Sequence, residues 1–207
     1  LTQNYTNTES HQHHNQVTPK ARTVPPKETA MKLIYTASQV REAEKPYIEA
    51  ADYDGYLMQR AADAVAAEAQ ELLHGTENAK ILLLIGPGNN GADTIYAGAR
   101  LSAKGHRVDA VIFDPSEKNL ELIAREGGEG TRVLDPEHTL EHLTGYDLTI
   151  DGILGTGSSG AVHGSAGEYL GVLRAAQLDG KLGAVLAVDT PSGVDNNRGT
   201  VHEPSLR

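Results

Sequence analysis

Apolar residues recur along this chain with two alternating periods, and these periods predict alternating strands and helices. Short, mainly apolar runs predict five strands, at residues 81–85, 108–113, 131–134, 148–153 and 184–188. Helical spacing between these runs predicts helices at residues 94–104, 119–126, 137–143 and 167–178. Parallel strands joined by right-handed helical crossovers form a sheet with helices on both faces. We therefore predict a doubly wound α/β domain.

Two further helices are predicted before the first of these strands. Thr36 and Gln39 have the spacing of a capping box and predict a helix over residues 36–45, which Pro46 is expected to end or kink. An apolar stripe predicts the next helix over residues 56–73. We interpret this stripe as part of the core rather than as a ligand site.

Composition sets the expected extent of the folded domain. Residues 1–30 are rich in Thr, Asn, Gln, His and Pro and contain almost no large apolar side chains, so they cannot bury enough surface to become ordered. We expect a disordered tail over residues 1–30 and the folded domain over residues 31–207.

Charge and cysteine content limit the classes of function. The chain carries 28 acidic and 18 basic residues, a formal net charge of −10, which disfavours binding to nucleic acid. The chain has no cysteine, which excludes disulfides and thiolate chemistry. No apolar run approaches the length of a membrane span. We expect a cytoplasmic protein without a nucleic-acid or membrane partner.

A glycine-rich turn follows the first predicted strand. Residues 86–91 match the pattern GxGxxG, which alone is a weak signal, and no Lys-Ser or Lys-Thr pair follows as in a P-loop. A strand, a glycine-rich turn and a helix N-terminus together suit a phosphate or pyrophosphate. The polar side chains of Asn89, Asn90 and Asp93 beside the glycines favour a ligand site over a simple turn.

Three predicted strand ends carry polar residues, and parallel strands bring such ends to one edge of the sheet. Besides the glycine-rich turn, these are Asp151 with the loop 155–160, and Asp189 with Ser192. Asp151 lies in an apolar strand, so it either coordinates a cation or caps a neighbouring loop. Asp189 is either a turn residue or a general acid/base. Ligands with oxygen alone favour a hard cation.

The segments GPGNNGAD, DLTIDGILGTGSSGAV and VDTPSGVD resemble the three signature blocks of the YjeF N-terminal domain, the NAD(P)H-hydrate epimerase family. With the two leading helices, the resemblance covers most of residues 31–199. The resemblance implies a Rossmann-like three-layer domain, usually a homodimer, that interconverts the R and S epimers of hydrated NADH and NADPH in nicotinamide nucleotide repair.

The resemblance also implies roles for individual residues. One potassium ion per subunit would be ligated by Asn90, Asp151 and Ser192, and Asp189 would be catalytic beside the hydrated nicotinamide ring. The residues expected to bind the hydrated dinucleotide form three groups: Asn89, Asn90, Gly91, Ala92 and Asp93, then Gly155, Thr156, Gly157, Ser158, Ser159, Gly160 and Ala161, and finally Asp189.

The chain departs from the family pattern in four respects. Met58-Gln59-Arg60-Ala61 stands where the family typically has Met-Glu-Asn-Ala, which loses a polar pair that often faces the site, and Pro46 interrupts the first helix. Ala92 and Thr94 stand where the family commonly has glycines, and we expect their side chains to lie where the ligand approaches the backbone. The family domain also continues beyond the last segment, so we expect a domain truncated at its C-terminal end, in a longer protein that carries an ADP-dependent hydrate dehydratase.

Two other functions compete with epimerisation. The first is a non-catalytic YjeF-type module for binding or dimerisation, against which the retained Asp151 and Asp189 argue. The second is an NAD-dependent oxidoreductase in which Asp114, at the end of the second predicted strand, would bind the ribose. That alternative lacks an obvious catalytic Tyr-Lys or His-Asp pair.

Overall fold

A five-stranded parallel sheet forms the centre of the structure, a computed structural model that describes residues 35–128 and 130–207. The tail predicted for residues 1–30 lies outside the described residues. The strand order is β3-β2-β1-β4-β5. The strands are β1 (Lys80–Ile85), β2 (Arg107–Ile112), β3 (Thr131–Val133), β4 (Leu148–Gly152) and β5 (Ala184–Ala187). The predicted α/β class, with a mainly parallel sheet, is confirmed.

Helices precede and connect the strands, and a small hairpin comes after them. The helices are α1 (Ala37–Ile48), α2 (Tyr56–Leu72), α3 (Asn89–Ala103), α4 (Glu117–Glu126), α5 (Pro136–Leu140) and α6 (Gly164–Leu178). After β5, strands β6 (Val194–Asp195) and β7 (Thr200–Val201) form an antiparallel hairpin, which the sequence pattern did not predict. No helix in the described part of the chain is long and apolar enough to cross a membrane.

The two faces of the sheet bury separate apolar cores. Along β1, Ile81, Leu83 and Ile85 pack with α2, α3 and α4, whereas Leu82 and Leu84 pack on the opposite face with α6. This alternation follows from the two-residue period of a strand. Burial on both faces explains why β1 is apolar along nearly its whole length.

The order of the strands reverses between β1 and β4. From β1 the chain proceeds outward through β2 and β3, and it then returns to place β4 on the other side of β1. Leu84 and Ile85 of β1 pair with Asp151 and Gly152 of β4, so the carboxyl ends of the two strands lie side by side. Ligands of doubly wound sheets bind at such a reversal.

Glycine is required where these two strand ends meet. A Cβ atom on Gly86 would lie 2.0 Å from the carbonyl oxygen of Ile153, and one on Gly91 would lie 2.0 Å from the carbonyl oxygen of Gly86. Both distances are far shorter than van der Waals contact. Gly91 and Gly86 therefore permit the close approach of the first turn of α3 to β1 and of β1 to the end of β4, whereas a Cβ atom on Gly88 would contact nothing within 4 Å among the described residues.

Several helix boundaries differ from the prediction, and the differences in α3 and α1 have a clear physical cause. Helix α3 begins at Asn89, five residues before the predicted start, because long-range hydrogen bonds hold the side chain of Asn90 in the first turn despite its modest helix propensity. Helix α1 has the predicted capping box but continues through Pro46 to Ile48. Pro46 has no N–H to donate to the preceding turn, but the N–H of Glu49 still donates to the carbonyl oxygen of Lys45 at 3.0 Å, which closes the helix beyond the proline.

His106, the residue before β2, is buried and contacts both α2 and the residue before β1. Its Nδ1 atom accepts a hydrogen bond from the N–H of Ala79 at 3.2 Å, and its Nε2 atom contacts the side-chain amide of Gln70 at 2.5 Å. Burial, followed by the charge of Lys104, lowers the pKa of His106 below its ordinary value of 6.5. The folded chain therefore favours the neutral imidazole.

We predict that the melting temperature of the wild type, relative to that of the His106→Gln variant, falls as the pH is lowered from 7.5 to 5.5. Because the folded-state pKa lies below the unfolded one, the stabilisation is present above pH 6.5 and is lost as the pH falls towards the folded-state value. Thermal unfolding at several pH values measures the slope. The exposed His142, changed to Gln, should keep the wild-type slope. Equal slopes for wild type and His106→Gln would contradict the prediction.

Candidate active site at the carboxyl edge of the sheet

A cavity of about 580 Å³ lies at the reversal of strand order. Its wall comes from α1, α2, the first turns of α3, the loop after β4 and the residue Asp189 after β5. The lining residues are Ala37, Val40, Arg41, Glu44, Ile48, Tyr53, Leu57, Met58, Ala61, Pro87, Gly88, Asn89, Asn90, Asp93, Ile153, Leu154, Gly155, Thr156, Gly157, Ser158 and Asp189.

Asp151 is fully buried at the end of β4 and binds the loop after β5. Its carboxylate accepts hydrogen bonds from the hydroxyl of Ser192 at 2.7 Å, from the N–H of Ser192 at 2.8 Å and from the N–H of Ile153 at 3.3 Å. Burial raises the pKa of Asp151, and these three hydrogen bonds oppose that increase. Asp151 thus makes the loop-capping interactions, and all of its donors are neutral.

Asn90 joins the first turn of α3 to the loops after β4 and β5. Its Nδ2 atom donates to the carbonyl oxygens of Leu154 at 3.0 Å and Val188 at 3.1 Å. Its buried Oδ1 atom has no hydrogen-bond partner among the described residues. Because the N–H of Leu154 donates to the Ser192 hydroxyl at 2.9 Å, the structure groups Asn90, Asp151 and Ser192 around Leu154.

These groups form an oxygen-rich cluster suited to a hard cation. The carbonyls of Leu154 and Val188 converge on the amide of Asn90, whose own oxygen accepts no hydrogen bond from the residues that the structure describes. The neighbouring carboxylate of Asp151 is buried without a basic partner among the described residues. A buried carboxylate is costly without a compensating cation. The donor set therefore fits a monovalent or divalent hard ion and does not suit a soft one.

Asp189 lies at the exposed side of the cavity, directly after Val188, and has a left-handed backbone conformation with φ of 62°. Such a conformation costs a non-glycine residue about 1 kcal/mol. A Cβ atom on Gly155 would lie 3.0 Å both from the Asp189 Oδ2 atom and from the Asn90 Oδ1 atom. Gly155 therefore leaves room for this carboxylate and this amide oxygen beside the loop after β4.

Asp93 provides a second carboxyl group in the same cavity. Its buried Oδ1 atom has no hydrogen-bond partner among the described residues. Burial, then the charges of Asp189 and Glu44, raise the pKa of Asp93 to about 7, and Lys118 opposes the shift. Near neutral pH, Asp93 is therefore present both with and without a proton, which permits it to donate or accept one.

The expected substrate-binding residues divide into two groups. Those that line the cavity are Asn89, Asn90, Asp93, Gly155, Thr156, Gly157, Ser158 and Asp189, whereas Gly91, Ala92, Ser159, Gly160 and Ala161 do not. The side chain of Ala92 is fully buried in the core of α2, α3 and α4. The expectation that Ala92 adds a side chain near the ligand is therefore wrong, because the helix turns it away from the cavity.

The same correction applies to Thr94. Its side chain is fully buried, and its hydroxyl donates to the carbonyl oxygen of Asn90 at 2.8 Å. The hydroxyl also fills the space beside Gly152, where a Cβ atom would lie 1.8 Å from it. Thr94 therefore packs α3 against β4 instead of facing the ligand.

Sequence reasoning missed the contribution of α1 to the site, and for α2 it noted only the polar pair beside Met58 that often faces the site in the family. Helix α1 contributes Arg41 and Glu44, and α2 contributes Leu57 and Met58 to the cavity wall. The apolar stripe of α2 was interpreted as part of the core alone. It does pack on the core, but the residues at the N-terminal end of α2 also line the cavity. The available signal was the three-residue separation of Arg41 and Glu44, which places them on one helix face.

Asp114, the residue on which the oxidoreductase alternative depends, lies outside the cavity wall. It comes after β2 in an exposed turn with φ of 44°. The acidic residues that do line the cavity come from α1, α3 and the end of β5. The geometry therefore gives no support to a ribose-binding role for Asp114.

Comparison with known proteins identifies close sequence relatives. A family model described as "YjeF-related protein N-terminus" matches residues 55–207. The chain is 35% identical over 176 residues to the bifunctional NAD(P)H-hydrate repair enzyme Nnr of Corynebacterium glutamicum, covering 82% of this chain and 29% of that protein. It is 36% identical over 169 residues to the NAD(P)H-hydrate epimerase of Microbacterium testaceum, covering 80% and 62%.

The fold has a counterpart among solved structures. The crystal structure of the yeast protein ynu0 superposes with a TM-score of 0.69 at 19% sequence identity, covering 84% of this chain and 77% of that chain. This likeness concerns the fold.

The chain spans about a third of the length of the bifunctional relatives from C. glutamicum and Mycobacterium tuberculosis, 29% and 36% respectively. The family model nevertheless matches most of the chain, from the start of α2 through β1, β4 and the loop after β5, which together hold Asn90, Asp151 and Ser192. The chain belongs to the family of YjeF-related protein N-termini.

Proposed function

We propose that this chain is an NAD(P)H-hydrate epimerase domain, an isomerase that interconverts the R and S epimers of hydrated NADH and NADPH. The observation that carries the proposal is the placement of two carboxyl groups, Asp93 and Asp189, in one cavity at the reversal of strand order. Relatives that bear the name epimerase or repair enzyme support this activity.

The cavity wall offers different chemistry to the two ends of a hydrated dinucleotide. The first turn of α3, entered through Gly88 without a side-chain cap, presents free backbone N–H groups to an anion. The loop that contains Gly155, Thr156 and Gly157 forms the neighbouring wall. We place the phosphates along these backbones and the hydrated nicotinamide ring beside Asp189.

The reaction requires one proton to move at the hydroxyl on C6 of the ring. A carboxylic acid donates a proton to this hydroxyl, the ring nitrogen supplies the electron pair, and the hydroxyl leaves as water to give a planar iminium ion. Water then adds to either face and returns the proton to the carboxylate, so the overall reaction is balanced. We assign this proton transfer to Asp189.

We also propose one potassium ion per subunit, held by Asn90, Asp151 and Ser192. The amide oxygen of Asn90, which has no hydrogen-bond partner within residues 35–128 and 130–207, and the buried carboxylate of Asp151 support such an ion. When bound, the ion would compensate the carboxylate charge and hold the loops after β4 and β5 in place. The homodimer and the cooperation with a hydrate dehydratase that the family implies are part of the same proposal, and the bifunctional relatives support the second.

Asp189→Asn should lower kcat for epimerisation by about two to four orders of magnitude, the usual contribution of a general acid/base. The melting temperature should change little, because asparagine also tolerates a left-handed backbone. Chromatographic separation of the hydrate epimers over time measures the rate.

Asp114→Asn is the matched control, because Asp114 also has a positive φ and is exposed but lies outside the cavity. This variant should keep the wild-type rate. Full activity of a folded Asp189→Asn variant would remove Asp189 from the mechanism. Dinucleotide binding without any epimerisation by the wild type would instead favour a non-catalytic binding module.

Potassium chloride should raise the melting temperature above that in choline chloride at equal ionic strength, since an ion that binds only the folded state stabilises it. Asp151→Asn should remove the difference by removing the negative ligand. Because this change also weakens the bonds to Ser192, Asn90→Ala provides a second test of the ion site. Equal melting temperatures of the wild type in the two salts would contradict the site.

Asp93→Asn should raise the melting temperature at pH 8 more than at pH 5. The folded-state pKa of Asp93 is raised from 3.8 to about 7, so the wild type is favoured at low pH and loses stability as the pH rises through 7. Asparagine carries no charge at either pH. A uniform shift of the melting temperature across this range would show that folding does not raise the pKa of Asp93.

A further inference from the structure

We propose that Arg41 of α1 binds the pyrophosphate of the dinucleotide and thereby holds the substrate against the loop after β4. The inference rests on the proposed function, since it assumes a dinucleotide in the cavity. It assigns a phosphate-binding role to a helix that lies before the part of the chain matched by the family model, which begins at residue 55.

The charge of the cavity makes a basic residue necessary. Among the described residues that line it, Glu44, Asp93 and Asp189 are acidic and Arg41 is the one basic residue. A pyrophosphate adds further negative charge to this acidic wall. Repulsion from the carboxylates would disfavour binding unless a cation lies where the phosphates bind.

The position of Arg41 satisfies this requirement. Its Nη1 atom lies 3.4 Å from the point that a Cβ atom of Gly157 would occupy, so the guanidinium lies against the glycine-rich loop. Residues 155–161 contain no basic residue. Ser158 stabilises the turn of this loop through its N–H and hydroxyl, which donate to the carbonyl oxygen of Gly155 at 3.0 and 2.7 Å.

The guanidinium of Arg41 is available for a ligand. Within residues 35–128 and 130–207, Arg41 forms neither an ion pair nor a side-chain hydrogen bond, although Glu44 lies one turn further along the same helix face. Lys45, its neighbour on α1, instead pairs with Glu49 at 3.8 Å. A planar guanidinium can donate two parallel hydrogen bonds to a phosphate, which an ammonium group cannot do.

The arrangement favours the central pyrophosphate over a terminal 2′-phosphate. The first turn of α3 and the loop at residues 155–158 both line the cavity, and Arg41 reaches this loop from α1. An anion between them can use the backbone donors of α3 and the guanidinium together. The pyrophosphate is shared by NADH and NADPH, so this contact should not discriminate between the two hydrates.

The test compares Arg41→Gln with Lys45→Gln, a control that removes the same charge from the same helix but outside the cavity wall. The probes are ADP-ribose, 2′-phospho-ADP-ribose and adenosine, titrated by calorimetry or nuclear magnetic resonance. Arg41→Gln should weaken the binding of both ADP-ribose probes by a similar factor of about ten to a hundred. This factor corresponds to the free energy that hydrogen bonds to a charged group contribute. Adenosine binding and the Lys45→Gln variant should match the wild type.

Arg41→Lys should recover only part of the lost affinity, because it restores the charge without the paired donors. In epimerisation, Arg41→Gln should raise KM for both hydrates with little change in kcat, as expected for a contact made equally in the ground and transition states. A similar fall in kcat would indicate a role in the chemistry and overturn the assignment.

The binding test separates this inference from the proposed function, since its probes lack the hydrated nicotinamide. Unchanged ADP-ribose affinity in a folded Arg41→Gln variant would overturn the inference, as would loss of affinity for 2′-phospho-ADP-ribose alone. Failure of the wild type to bind ADP-ribose would also overturn it. If the wild type binds ADP-ribose through Arg41 but does not epimerise hydrates, the inference stands and the proposed activity is wrong.

Discussion

The hydrogen bonds between Asp151 and Ser192 are the interaction on which the rest of the site depends. They join the end of β4 to the chain after β5, and Ser192 then accepts a hydrogen bond from Leu154. Asn90 completes the connection by donating to the carbonyls of Leu154 and Val188. Each bond contributes only about 1 kcal/mol, or somewhat more where the partner is charged. Together they hold three loops, distant in sequence, around one cavity.

Much of the fold could be predicted because its strands are buried on both faces and therefore read as apolar runs. The start of α3 could not be predicted from local propensity, since tertiary hydrogen bonds to Asn90 override it. The convergence of the three strand ends that carry Asn90, Asp151 and Ser192 could be predicted from the parallel arrangement of the strands, whereas the position of α1 could not. A helical period indicates which face of α1 is apolar but does not indicate the surface on which it packs.

The cavity combines features that favour reactivity at some cost in stability. Asp189 has a strained backbone, Asp93 has a buried oxygen without a partner in the described part of the chain, and Glu44 adds a third negative charge. None of these features improves the packing of the sheet. Such conflicts between local preference and structure are expected at functional sites, where the surrounding fold must be stable enough to hold them.

The contact between Thr94 and Gly152 links two positions in evolutionary terms. Any side chain at position 152 would overlap the Thr94 hydroxyl, at 1.8 Å from the new Cβ atom, and would approach the carbonyl oxygen of Asn90 at 3.1 Å. A lineage with threonine at 94 must therefore keep glycine at 152, whereas glycine at 94 would remove the closer of the two clashes. A side chain at position 152 is therefore tolerated only after glycine has replaced Thr94. The residues at these two positions should covary among relatives.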